Sequence, residues 1–377
     1  MSSRIHRIHG IIPPYMLERI AQQGSPVQRE RAQRALALST TIRTRREAFE
    51  APPPGAAALT AQLERTVYSA DNGSNLPGRQ VRSEGQPPTA DATVDEAYDG
   101  AGATYYLYHD IYGRNSIDNN GMPINSTVHY DRNYDNAFWN GDQMVYGDGD
   151  EDLPPDQRLF NRFTIAVDVI GHELTHGVTQ YTARLIYANQ SGALNESMSD
   201  VFGSLVKQYV HKQTVNMADW LIGEGLFTTN VHGVALRSMK APGTAYDDPV
   251  LGKDPQPANM KDYVNTTSDN GGVHINSGIP NRAFYMVAKE IGGFAWEQAG
   301  KIWYTTLRNK LRPNATFQDA ADLTYQTAGE LYGVGSKEQL AVRHGWQAVG
   351  IEIGATPQPK SWLQALIEWI VSLFSKH

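Results

Sequence analysis

An apolar-periodic run from Ile165 to Val178 carries His172, Glu173, Leu174, Thr175 and His176, and no other stretch constrains the chain as much. A run with that periodicity folds as a helix with one face toward a core. The four-residue step then puts both imidazoles on one face, one turn apart, where both can meet a single Zn²⁺. Glu173 lies beside them, within reach of a metal-bound water. Taken alone the pattern is open to a second reading, because five residues can match by chance and two histidines on a helix face are often plain polar surface.

The segment Asn195-Glu196-Ser197-Met198-Ser199-Asp200 weighs against that reading. Glu196 follows His176 by 20 positions (196 − 176) and is read as the beginning of a further helical pattern. Two imidazoles and one carboxylate give Zn²⁺ three protein ligands and an open fourth position, the catalytic arrangement rather than the closed structural one. Asp200, one turn further, can hold a ligand imidazole through its other nitrogen. Alone, Glu196 and Asp200 would be a solvated helix face; behind the two histidines they are not. Zn²⁺ lowers the pKa of bound water toward ~7, and a carboxylate can carry the proton from the attacking water to a leaving amine. Glu173 is the candidate for that shuttle. A tetrahedral oxyanion calls for further donors, from His, Tyr or Arg elsewhere.

Composition narrows the alternatives. The chain has no cysteine, which excludes disulfides and thiolate chemistry and leaves His and carboxylate as the metal ligands. A net charge of -7 argues against nucleic-acid binding, which needs a basic face. At 377 residues the chain exceeds one compact core, so two lobes with a cleft between them are expected. No apolar stretch reaches membrane-spanning length.

Along the chain, Ile11-Ile12-Pro13-Pro14-Tyr15 reads as a stiff turn and Val27 to Phe49 as a helix rich in Ala, Arg and Leu, broken by Ala51-Pro52-Pro53-Pro54-Gly55. From Leu63 to about Gly149, short alternating runs such as Ala103 to Tyr108 and Gln143 to Tyr146 read as strands. Helical periodicity dominates from Phe163, interrupted by a Gly- and Asn-rich stretch from Ala241 to Gly272. After Gly354 a linker leads to Trp362, Leu363, Leu366, Ile367, Ile370, Leu373 and Phe374 at helical spacing. That is an amphipathic tail helix, too short to span a bilayer.

Several separate blocks then resemble one known family. They are Tyr134 to Gly141, Met144 to Asp150, the helix from His172 to Tyr187, Gly192 to Asp200, and Asp269 to Gly278. Together they resemble the thermolysin-like metallopeptidases, a gluzincin group, over nearly everything from Ala70 to Gly350. The resemblance implies a zinc-dependent neutral endopeptidase acting on proteins or peptides. The implied fold is α+β and two-lobed: a β-rich N-terminal catalytic lobe over 51–182 ending in the zinc helix, a mainly α-helical C-terminal lobe over 183–352, and the zinc site in the cleft. Residues 1–50 would be a propeptide and 353–377 the linker and tail helix.

Position by position, the resemblance implies His172, His176 and Glu196 as zinc ligands and Glu173 as the base. It implies His274 as the oxyanion-stabilising histidine, Asp269 as the residue orienting its ring, and Tyr187 as the phenol assisting it. Asp200 and Asn195 are implied as partners of the ligand histidines. Arg237 would hold a substrate carbonyl, and Asn136 with the backbone of Ala137 would form the edge on which an extended peptide lies. Val169, Ile222, Leu236 and Phe163 would line an apolar pocket for the residue after the cut bond, implying cleavage before Leu, Phe or Ile. Spacing alone singles out none of these residues beyond the zinc helix and its sequel.

Ile12-Pro13-Pro14-Tyr15-Met16-Leu17 resembles the protealysin-like precursors, whose short propeptide covers the cleft as an intramolecular inhibitor; cutting is expected near residues 47 to 52. Met1 to Met16 holds no continuous apolar run, so the expected location is cytoplasmic by default, with non-classical export open. Many relatives hold a double calcium site. Here Asp168, Asp219 and Glu224 match it, but Lys207 and Leu221 stand at positions expected to be acidic, which disfavours calcium and places the Lys207 ammonium among the three carboxylates instead. The tail helix could dock on the protein itself, on a membrane surface or on a partner, and self-docking is favoured because large exposed apolar patches are uncommon.

Overall fold

The structure is a computed structural model that describes residues 10–46 and 62–354. The expected cutting region and the expected tail helix lie outside the described residues. Helix α1 (Pro14–Gln23) opens with proline in its first turn, where a missing N–H costs nothing, and buries Met16, Leu17 and Ile20. Helix α2 (Pro26–Arg46) packs beside it.

A five-stranded sheet follows, built from β1 (Arg65–Ser69), β2 (Arg79–Ser83), β3 (Ile124–Val128), β4 (Ala137–Trp139) and β5 (Met144–Tyr146) in the order β2-β1-β3-β5-β4. Strand β4 lies at one edge, antiparallel to β5 with Ala137 opposite Tyr146, so its outer side can pair with another chain segment. Between β2 and β3 runs α3 (Ala92–Tyr106), capped by Asp91, whose carboxylate accepts the N–H groups of Thr93 and Val94. Ala103 to Tyr108, expected as a strand, instead forms the end of α3 and the turn after it. The Thr and Tyr side chains favour strands locally, but the helix is already nucleated and capped upstream, and Thr104, Tyr105, Leu107 and Tyr108 are buried on it.

Helix α4 (Val167–Gln180) is buried along nearly its whole length and packs against α5 (Asn189–His211). The two backbones approach closely at Gly203, where a Cβ would stand 2.4 Å from the Asp168 carbonyl and 3.0 Å from the His172 nitrogen. A side chain there would push apart the two helices that carry the candidate ligands. Glu196 lies well inside α5 rather than at its beginning, because the first turns of α5 are small and polar (Asn189-Gln190-Ser191-Gly192) and carry little apolar periodicity. The short strands β6 (Leu221–Ile222) and β7 (Arg237–Ser238) pair antiparallel, Ile222 opposite Arg237. Helices α6 (Asp269–Asn276), α7 (Gly278–Ile291), α8 (Gln298–Asn309), α9 (Phe317–Tyr332) and α10 (Lys337–Ala348) complete a helical C-terminal half. The α+β architecture expected from the sequence is present.

Candidate metal centre

On α4, His172 and His176 bring their Nε2 atoms to 3.1 Å from each other. Glu196, arriving on α5, places Oε2 3.5 Å from His172 Nε2 and Oε1 3.4 Å from His176 Nε2. Among the described residues these three are the group of His and carboxylate side chains whose ligand atoms all lie within 4.8 Å of one another. Each imidazole is held from behind: His172 Nδ1 donates to Asp200 Oδ1 at 2.8 Å and His176 Nδ1 to Asn195 Oδ1 at 2.9 Å. A carboxylate and an amide oxygen only accept, so the Nδ1 protons are fixed and both Nε2 lone pairs point inward. Glu196 Oε2 is buried and makes no hydrogen bond.

Two inward lone pairs and an unbonded carboxylate oxygen, all buried, repel one another unless a cation lies between them. The donor set of two imidazole nitrogens and one carboxylate suits Zn²⁺ and leaves a fourth position open. Burial pushes the Glu196 carboxyl up, and the neighbouring His274, His176, His172 and Arg237 pull it down, to about 2 when the histidines are protonated in place of a bound cation.

Asp200 links this group to Arg237 and Asn281. Besides His172, its carboxylate accepts Arg237 Nε at 2.9 Å, Arg237 Nη2 at 2.8 Å and Asn281 Nδ2 at 2.8 Å. Burial pushes Asp200 up, and the Arg237 guanidinium and His172 then hold it below the usual carboxylate range. Asn281 was not picked out by the sequence reading, although it follows the Asp269 to Gly278 block by only a few residues.

Across the cleft, α6 begins with Asp269, Asn270, Gly271 and Gly272 all at positive φ. That turn folds the Asp269 carboxylate back, so that it accepts the His274 main-chain N–H at 2.8 Å and Nδ1 at 2.6 Å. His274 Nε2 then points toward Glu196 Oε2, 3.6 Å away, and Tyr187 OH, 3.3 Å away. Tyr187 OH also donates to Glu196 Oε1. Burial lowers the His274 pKa, but the carboxylates of Glu196 and Asp269 raise it above the ordinary value. Glu173, fully buried, accepts the main-chain N–H of Trp139 in β4 through Oε2 at 3.0 Å. Trp139 is a second contact that sequence reasoning missed, since a main-chain donor leaves no mark on residue type.

Val169, Ile222, Leu236 and Phe163 are all buried, with Val169 on α4 three residues before His172 and Leu236 N–H donating to the Ile222 carbonyl at 3.0 Å. The edge Asn136-Ala137 and Arg237 are engaged by the N-terminal segment. Ile11 N–H donates to the Ala137 carbonyl at 3.0 Å, Ile12 N–H to Asn136 Oδ1 at 3.0 Å, and Asn136 Nδ2 to the Ile12 carbonyl at 3.2 Å. Arg237 Nη1 donates to the Ile11 carbonyl at 3.3 Å. Away from the cleft, Lys207 Nζ lies 2.6 Å from Asp219, 2.9 Å from Glu224 and 3.7 Å from Asp168, the arrangement expected from its sequence position.

A buried His-His-Glu group on two packed helices, with a carboxylate and a third histidine facing it, defines a metal-dependent hydrolase of the gluzincin type. Comparison with known proteins makes this specific. Residues 55–180 match the family model described as thermolysin metallopeptidase, catalytic domain, and residues 183–351 match the thermolysin metallopeptidase, alpha-helical domain. Residues 9–37 match the protealysin propeptide. The chain is 51% identical over 351 residues to an extracellular metalloprotease of Pectobacterium carotovorum subsp. carotovorum, covering 92% of this chain and 97% of that protein. It is 41% identical over 351 residues to an extracellular minor metalloprotease of Serratia marcescens, covering 90% and 95%. The precursor of protealysin, a metalloproteinase from Serratia proteamaculans, superposes with a TM-score of 0.82 at 52% identity, covering 91% of this chain and 99% of that one.

The chain belongs to the thermolysin-like metallopeptidases, and it is a metalloendopeptidase carrying a propeptide. The family and the His172-His176-Glu196 group together support zinc as the metal. The cytoplasmic expectation is corrected: relatives matching almost end to end are named extracellular, which points to secretion. That expectation had rested on the composition of the first residues, a signal that bears on one export route only.

Proposed function

We propose that the chain is a zymogen in which Glu173 is the proton shuttle, His274 and Tyr187 are the oxyanion donors, and Asn136, Ala137 and Arg237 bind the peptide main chain. Zinc held by His172, His176 and Glu196 would supply Lewis acidity and a lowered pKa for coordinated water. Glu173, fixed by the Trp139 N–H, takes a proton from the attacking water and delivers it to the leaving amide nitrogen. His274 in its protonated form, which the neighbouring carboxylates favour, donates from Nε2 with Tyr187 to the oxygen that gains charge. Asp200 keeps the His172 ring in the required tautomer, and Asp269 orients the His274 ring. Val169, Ile222, Leu236 and Phe163 favour a large apolar residue after the cut bond.

The observation that carries the reading is the grip on Ile11 and Ile12. Every hydrogen bond there is to main chain, by an edge strand, an amide and a guanidinium, so an extended peptide of other sequence can make the same hydrogen bonds. Gly10 enters so closely that a Cβ would lie 2.4 Å from Asn136 Oδ1 and 2.5 Å from the Ala137 carbonyl. Ile11, Ile12, Met16, Leu17 and Ile20 are all at most 2% exposed, and at about 1.5–3 kcal/mol per buried aliphatic side chain they hold the segment over the cleft.

The test is to incubate the full-length chain and its Glu173→Ala variant with a protein substrate, with and without a zinc chelator. The wild type is expected to trim itself and then cleave substrate, while the variant loses at least ~10³-fold in rate. Substrate cleavage by the variant at the wild-type rate would overturn the assignment of Glu173.

A further inference from the structure

Arg31, on α2, is 3% exposed, and oxygen atoms surround its guanidinium. Nη1 lies 3.2 Å from Asp150 Oδ1, 3.3 Å from the Gly149 carbonyl and 3.8 Å from Asp135 Oδ1. Nη2 lies 2.8 and 2.7 Å from the two oxygens of Asp152 and 3.1 Å from Asn133 Oδ1. All of these oxygens belong to the catalytic part of the chain, whereas Arg31 lies in the segment that matches a propeptide. Asp135 and Asp150 are 5% and 1% exposed. The second Asp150 oxygen is committed to the N–H groups of Leu159 and Phe160, at 2.8 and 3.0 Å, so Oδ1 alone faces the guanidinium.

Asp135 Oδ1 gives an independent sign. It is buried, aimed at the cluster, and makes no hydrogen bond; the guanidinium at 3.8 Å is too distant to supply one. Burial and the neighbouring Asp150 push the Asp135 carboxyl up, and Arg31 pulls it down. Removal of α2 with the propeptide takes away the cation that Asp135, Asp150 and Asp152 share and leaves their oxygens crowded together. Like charges held that close favour either a bound cation or protonation of one of them.

We propose that the oxygens around Arg31 form a site for a hard divalent cation, Ca²⁺, once the propeptide has left, and that the cation and Arg31 exclude one another. The donors fit calcium: three carboxylates, a side-chain amide oxygen and a main-chain carbonyl offer six oxygens, and Ca²⁺ takes six to eight in flexible geometry. Zinc would prefer nitrogen ligands, and Mg²⁺ requires a stricter octahedron. A bare ion is smaller than a guanidinium, so the cage must contract. Its most adaptable member is Asp152, whose side chain is 57% exposed on the turn after Gly149. A divalent ion also compensates more of the acidic charge than one arginine does. Calcium outside the cell would thus oppose return of the cleaved propeptide, separately from the grip on Ile11 and Ile12.

The inference rests on the propeptide being removable, so the experiment opens the site without cutting the chain. Full-length protein carrying Glu173→Ala, which keeps it from trimming itself, is titrated with Ca²⁺ by calorimetry with Arg31 intact and as Arg31→Ala. Arg31→Ala is expected to gain one calcium site, with a dissociation constant of about 10⁻⁴–10⁻³ M, that the Arg31 protein lacks and that adding Asp150→Asn removes. Equal calcium binding with and without Arg31, or a gained site that survives Asp150→Asn, would overturn the proposal, as would uptake of protons in place of calcium. Should Arg31→Ala not fold, wild-type enzyme freed of its propeptide is titrated against the same protein carrying Asp150→Asn, with the same expectation and the same overturning results. A negative outcome leaves inhibition by Gly10 to Ile12 intact, since none of the variants touches Asn136, Ala137 or Arg237.

Discussion

Two clusters of charge, one between α4 and α5 and one where those helices meet the chain after α5, answer the same electrostatic problem in opposite ways. At His172, His176 and Glu196 the side chains converge on a point with their lone pairs facing inward, each braced from behind by Asp200 or Asn195. At Asp168, Asp219 and Glu224 the convergence is filled by the chain's own Lys207. Burial still pushes Asp168 up to about 6, with Lys207 opposing it. The first arrangement needs an ion from solution and can do chemistry with it. The second carries a tethered cation that needs no ion and has no open coordination position, so its effect is on stability alone. A third cluster lies between these extremes: His129 bridges Asp148 through Nδ1 at 2.9 Å and Asp91, the cap of α3, through Nε2 at 2.8 Å. Its cation is a proton, present or absent according to pH.

Changes at each cluster should separate the three cases. The largest effect is expected at the metal centre, where Asp200→Asn removes the charge that fixes both His172 and Arg237. Zinc affinity, measured by competition with a chromogenic chelator, should fall about 10–100-fold, with KM rising as Arg237 loses its anchor. Unchanged zinc affinity would mean that the brace does not tune the ligand.

A smaller effect is expected at the tethered cation. Lys207→Ala leaves three carboxylates facing one another and should cost about 2–3 kcal/mol by thermal unfolding, below the value for a fully buried pair because Glu224 is half exposed. Millimolar calcium should recover part of that loss in the variant and add little at this cluster in the wild type, and a variant indifferent to calcium would break the analogy between ammonium and ion.

The smallest effect belongs to His129. The hydrogen bond to Asp148 raises its pKa, burial opposes this, and Asp91 adds to the rise, giving about 9. A folded pKa above the ordinary ~6.5 means stability that is complete below about pH 6.5 and is lost as pH rises through about 9. After discounting for solvent screening, the loss is on the order of 1 kcal/mol. Unfolding midpoints of wild type and His129→Gln should converge between pH 6.5 and 9.5, and a constant gap across that range would remove His129 from the account.

The candidate metal ligands are legible in the sequence because helix geometry is local. Residues four apart share a face whatever surrounds them, which identifies His172 and His176, and a carboxylate on a following helix completes the set. The misreadings arose where tertiary context prevails over local preference. Ala103 to Tyr108 looked like a strand by its Thr and Tyr content, yet continues a helix whose cap lies a dozen residues upstream. Periodicity places Glu196 at the beginning of a helix that starts earlier, at Asn189, because small polar residues hide the period over its first turns.

By itself, then, the sequence determined the chemistry this chain can perform: two imidazoles at helical spacing, a carboxylate between them, another downstream and no thiols anywhere. Only the tertiary structure decided how charges distant in sequence are matched. It brings Arg237 to Ile11, Asp200 to Asn281, and Arg31 to Asp135, Asp150 and Asp152. The reason is physical. Periodicity encodes which face of an element is buried, but the partner of a buried charge is set by where packing brings another element, and that depends on the whole fold at once.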